Sequence, residues 1–137
     1  MIHGVIQLLV NATTVKNAVG QNKTGDRYKV FPVIADADEQ PPFSVASITG
    51  NKPTQMKDGS SIVDRISFRL ITYSETYEQI DAIDTAMRFI LDGFRGTSSG
   101  VEMDVSLVNQ TDSGVEGKVY FARISDYEAF VVRTPLI

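Results

Sequence analysis

The chain has 137 residues, 42% of them apolar, enough for one domain with one core and too many for wholesale disorder. Thirteen basic side chains face 17 acidic ones, a formal charge of -4, which argues against a domain built mainly to grip nucleic-acid phosphates. With no cysteine and a single histidine, His3, a disulfide framework, a thiol nucleophile and a multi-histidine metal site are all excluded.

Taken in order, Ile2, Val5, Ile6, Leu9 and Ala12 follow helical spacing and predict a first helix over roughly 2–18. Gly4 weakens its start and Gly20 supplies a stop. This apolar stretch is shorter than the ~20 residues that span a bilayer and lacks the basic and small-residue flanks of a signal peptide. The expectation is therefore a soluble, intracellular protein without a membrane partner. Residues 21–26 read as a polar turn, 27–34 as a short strand, and 35–42 as a break rich in charge and proline. Phe43 to Gly50 reads as a second strand, and 51–61 as a long polar connection.

The third strand has the clearest alternation. Ile62, Ile66, Phe68 and Leu70 share one parity, while Val63, Arg65, Ser67 and Arg69 take the other. Thr76-Tyr77-Glu78-Gln79 fits a capping box, and Tyr77, Ile80, Ile83, Met87, Ile90, Leu91 and Phe94 form the apolar stripe of a second helix. Gly93 and Gly96 close it, and 97–100 reads as a flexible link. Residues 101–108 alternate as a strand, Asp112, Gly114 and Gly117 mark a turn, and 118–124 forms another strand. Residues 127–133 continue it across a bulge near Ser125 and Asp126. The predicted order is α-β-β-β-α-β-β, one α+β domain over 1–137 with a mainly antiparallel sheet and two helices on one face.

No catalytic, cofactor-binding or metal-ligating set emerges. The glycines around Phe94 follow a helix rather than precede one and lack the Lys-Ser/Thr end of a phosphate loop. Asp36, Asp38 and Glu39 resemble the start of a calcium loop, but Gln40 and Pro41 stand where a ligand and a glycine belong. Asp81 and Asp84 fall on the solvent flank of the second helix, where its dipole favours them. A serine nucleophile would have only His3 as a histidine base. The reading is of a protein that is not an enzyme.

The arginines are more informative. Arg65, Arg69, Arg88, Arg95, Arg123 and Arg133 lie on or beside regular elements. Residues 1–68 carry 7 basic and 6 acidic groups, and the remainder 6 and 11. Separated signs suit self-assembly, because opposed patches fix the register between copies. Arg65, Arg69 and Arg95, with Asp36, Asp38 and Glu39 in the polar break, are the candidate subunit-interface residues.

The run from Phe68 to Gly96 resembles the centre of the small phage tail-completion proteins, or tail terminators, of long-tailed phages and prophages. The likeness is carried by Tyr73 at a strand end, Tyr77, Ala82 and Ile83 in the helix, and Leu91-Asp92 before the Gly93-Phe94-Arg95-Gly96 turn. Upstream, Val30-Phe31-Pro32 and Gln40-Pro41-Pro42-Phe43 resemble the family's proline-punctuated entry to its second strand. Residues 125–130 depart from its continuous closing strand. The resemblance implies a ring, commonly hexameric, that caps the head-proximal end of the tail tube. It would stop tube polymerisation and join the tail to the head-completion or connector protein. It also implies assembly in the host cytoplasm and then residence in the virion, with DNA passing an acidic lumen without specific binding. Another neck protein, such as a head-completion or minor tail protein, is a close alternative. A small α+β ligand- or nucleic-acid-binding module is a second one.

Overall fold

The computed structural model describes residues 2–20, 28–32, 41–53, 63–114 and 120–132. Their order is α1 (Ile2–Val10), α2 (Thr13–Val19), β1 (Val30–Pro32), β2 (Phe43–Pro53), β3 (Val63–Ser74), α3 (Tyr77–Leu91), β4 (Arg95–Ser98), β5 (Val101–Gly114) and β6 (Phe121–Val132). The six strands form one sheet in the order β1-β2-β3-β6-β5-β4. Among the described strands only the β1–β2 pairing is parallel. The class is the expected α+β, with three helices in place of two and one additional strand among the described residues.

The core is the face of the sheet covered by the helices. Ile66, Phe68 and Leu70 on β3 and Tyr127, Ala129 and Val131 on β6 are buried there with Val5, Leu9, Val15, Val19, Ile83, Met87 and Leu91 from the helices. Phe68 and Tyr127 stack with ring centroids 5.3 Å apart. The predicted β3 alternation holds over the described residues, with Arg65, Ser67 and Arg69 on the opposite face. Ile62 falls outside them.

The first helix is two helices. Ala12 adopts an extended conformation (φ -86, ψ 121), and α2 begins after it. Continuing the stripe of Val5 and Leu9 along one helix would carry Lys16 towards the core. The break resets the phase, so that Val15 and Val19 are buried instead. The sheet curls until α1 touches both edge strands, β1 and β4. Gly4 makes this possible, since a Cβ there would stand 3.0 Å from the Ser98 carbonyl oxygen and 3.0 Å from the Met103 methyl. The Ser98 hydroxyl donates to the Gly4 carbonyl at 2.7 Å.

The remaining differences are local. The predicted 97–100 link is β4 plus a tight turn, where Ser99 (φ 49) and Gly100 (φ 76) supply two left-handed residues. β2 runs on to Pro53 and β5 to Gly114, so residues 112–114 are strand rather than turn. β6 pairs with β3 without a register shift from Phe121 to Val132. The bulge lies in β5, between Leu107 and Asn109. The closing strand is thus continuous where the sequence reads as interrupted. Thr76 caps α3 as expected, accepting from the Gln79 amide at 3.2 Å. The reciprocal half of the box is relayed, with Ser74 accepting from the Thr76 amide and donating to the Gln79 side chain.

Candidate functional site

Two polar surfaces flank β3, β6 and β5. On the face away from the helices, the antiparallel register sets Arg65 beside Phe130, Ser67 beside Glu128 and Arg69 beside Asp126. Arg65 donates to Glu128 at 2.8 Å, and Arg69 donates from Nε to Asp126 at 2.8 Å. Each hydrogen bond to a carboxylate, reinforced by its charge, raises the arginine's pKa. Arg95 on β4 donates to Asp104 on β5 at 3.0 Å. The structure therefore gathers Arg65, Arg69 and Arg95 on one face, as a ladder of internal ion pairs rather than unpaired cations. Phe130 and Val132 are exposed on the same face. Asp36, Asp38 and Glu39 lie outside the described residues, as do the predicted 21–26 turn and Arg133.

On the helix side Arg123 of β6 is enclosed. Its side chain is 11% exposed and reaches Asp81 at 2.8 Å, Asp84 at 3.3 Å and Asp112 at 2.7 Å. The guanidinium also donates to the Tyr77 hydroxyl at 3.1 Å and lies 5.4 Å from the ring centroid. Tyr77 donates to Asp112 at 2.7 Å and meets the Phe121 ring edge-on. Gln110 donates to Asp84 at 2.7 Å and to the Ser125 hydroxyl at 3.0 Å. Hydrogen bonds from Arg123, then from Tyr77, hold the Asp112 carboxyl below its ordinary range. The acidic partners raise the Arg123 pKa despite burial. Chemically this is a lock between α3, β5 and β6.

Asp84 corrects the sequence reading, being buried rather than on the solvent flank, because Arg123, Gln110 and Ser125 all meet it. Arg123 likewise is not a surface arginine. The signal was present as parity, since Arg123 and Ser125 share the buried parity of Tyr127, Ala129 and Val131. Tyr77, assigned to the buried stripe, is 46% exposed, and Phe89 on α3 is 88% exposed. His3 lines an open, mostly apolar cavity of about 340 Å³ between α1 and β1, with Ile6, Val10, Tyr28, Val30 and Pro32. Among the described residues no group of three or more His, Cys, Asp or Glu is placed to hold a metal ion. Among them also, no helix is long and apolar enough to cross a membrane.

No family model matches the chain, and no curated protein matches its sequence. Its fold is shared with solved structures. A chain from the virion of a native gene transfer agent particle superposes with a TM-score of 0.70 at 13% identity, covering 94% of this chain and 92% of that one. A second solved chain superposes with a TM-score of 0.52 at 10% identity, over 97% and 96%. At these identities the likeness is one of fold, extending over nearly the whole length of each chain.

Proposed function

We propose that this chain is a structural protein of a phage-like particle, a tail-completion subunit that caps the head-proximal end of the tail tube and joins it to the head. The observation that carries this reading is the near full-length fold likeness to a chain of a gene transfer agent virion. The run from Phe68 to Gly96, read independently from sequence as tail-terminator-like, supplies the strand, the capped helix and the glycine turn at the centre of that fold. In this reading the protein carries out no reaction and takes no cofactor. Its work is done by surfaces that meet further copies in a ring, the last tube subunits and the head connector. Arg65, Arg69 and Arg95 would serve as fixed, pre-oriented interface groups, because each is already held by a carboxylate. Assembly would take place in the host cytoplasm, with residence in the virion and DNA passing the lumen unbound.

The test is reconstitution. Purified chain added to polymerising tail tubes should halt growth and appear by electron microscopy as a cap at one end only. Tubes that lengthen at the same rate with and without the protein would refute the reading.

A further inference from the structure

Two surface features on either side of one row of the sheet complement each other. The register places Val30, Ser44, Thr72, Arg123 and Asp112 in one row across β1, β2, β3, β6 and β5. Beside Arg123 and Asp112, from the start of α3 and two residues away along β6, stands a knob. Tyr77 and Phe121 are 46% and 43% exposed, with ring centroids 6.3 Å apart. Glu78, Asp81 and Asp112 border the knob, and the described cation beside it, Arg123, is already committed to carboxylates. At the β1 side lies the hole, the 340 Å³ cavity between α1 and β1 walled by Ile6, Val10, Tyr28 and Val30. Its cation is Lys16, which sits 5.4 Å from the Tyr28 ring centroid.

The two sides also differ in charge. Among the described residues up to Pro53 there are Lys16, Lys29 and Lys52 and no carboxylate, whereas 75–114 and 120–132 carry ten carboxylates against Arg88, Arg95 and Arg123. Over all of residues 1–53 the sequence has five basic and four acidic side chains, so the contrast keeps its sign. An exposed aromatic pair in an acidic border and an apolar groove beside a lysine are complementary in apolar character and charge. Because they are different surfaces of one molecule, the contact is head-to-tail. Repetition of such a contact gives a ring when the rotation between copies closes and a filament when it does not, and the ring is the outcome the reading above requires.

We propose that the Tyr77–Phe121 knob of one copy seats in the α1–β1 groove of the next, with Glu78 and Asp112 facing Lys16. This rests on the ring reading above and specifies its seam. The test uses the full chain in low salt, with oligomer size measured by light scattering and sedimentation. Wild type should form a closed oligomer. Lys16→Glu and Glu78→Lys should each raise the protein concentration needed for assembly by about tenfold or more, since each sets like charges against one another. Mixing the two single variants, or combining both changes in one chain, should restore it. Phe121→Ala, which leaves the charges intact, should weaken assembly as well. Circular dichroism would verify folding, and Lys16→Gln with Glu78→Gln, which avoid charge reversal, give the same direction with smaller effect.

A wild type that stays monomeric at its highest soluble concentration would overturn the seam. So would charge variants that assemble like wild type, or that no mixture rescues. Tube capping is scored separately. A chain that caps tubes while ignoring these variants would refute the seam alone, and a chain that assembles as described without affecting tubes would refute the tail-completion reading alone.

Discussion

On the helix side of the sheet, Arg123 is shared among three carboxylates and is 11% exposed. On the opposite side, Arg65 and Arg69 each hold one carboxylate and remain 52% and 43% exposed. The residue types are the same and their energetic roles differ. A charge withdrawn from water is costly to leave unpartnered, so removing one member of an enclosed set exposes the others to that penalty. An exposed pair gains little over hydration and can be exchanged for contacts with another molecule. The first arrangement holds α3 onto β5 and β6, and the second is available at a surface.

The contrast can be broken from the inside first. Arg123→Ala leaves Asp84 buried against two neutral partners and should lower stability by about 3 kcal/mol, read as a fall in the urea midpoint. The same network sets an acid limit. The folded pKa of Asp112 lies below its unfolded value, so Asp112 adds stability that is complete above about pH 4 and is lost as pH falls through the folded pKa. The urea midpoint should therefore drop on acidification from that point, and Asp112→Asn should flatten the drop. Gly4→Ala attacks the other fastening of the helix layer, where α1 meets β4 and one of the two close atoms is backbone. It should cost about 1–3 kcal/mol of overpacking, with a matching fall in melting temperature. The buried Tyr127 hydroxyl has no hydrogen-bond partner among the described residues, so Tyr127→Phe should be neutral or stabilise by about 1 kcal/mol. The smallest effect falls on the outer face. Arg65→Ala should change stability by less than about 1 kcal/mol, while altering assembly if that face is an interface.

β3, α3 and the fold class were legible because they bury one face and solvate the other, which imposes periods of two and 3.6 on the sequence. The closing strand was not, because its buried face includes Arg123 and Ser125. A polar group inside the core breaks the apolar alternation unless its partners are known, and those partners, Asp84, Gln110 and Asp112, come from α3 and β5. The split of the first helix was hidden for a related reason, since only packing reveals that Lys16 must turn away. β4 was missed because its four residues, Arg95 to Ser98, carry no apolar pattern and owe their strand form to pairing with β5. Of the candidate interface residues, Arg95 joins the others only through the pairing of β4 with β5, while the shared face of Arg65 and Arg69 follows from the parity of β3. Their intramolecular carboxylate partners do not, because they depend on which strands the sheet sets side by side.

In the role proposed above, this chain ends tail growth. Its most direct test is to disrupt the gene in the particle that encodes it and measure tail-length distributions by electron microscopy. Tails of uncontrolled, excessive length and filled heads left unjoined are expected, both corrected by supplying the intact chain. Tails of normal length attached to heads in its absence would contradict it.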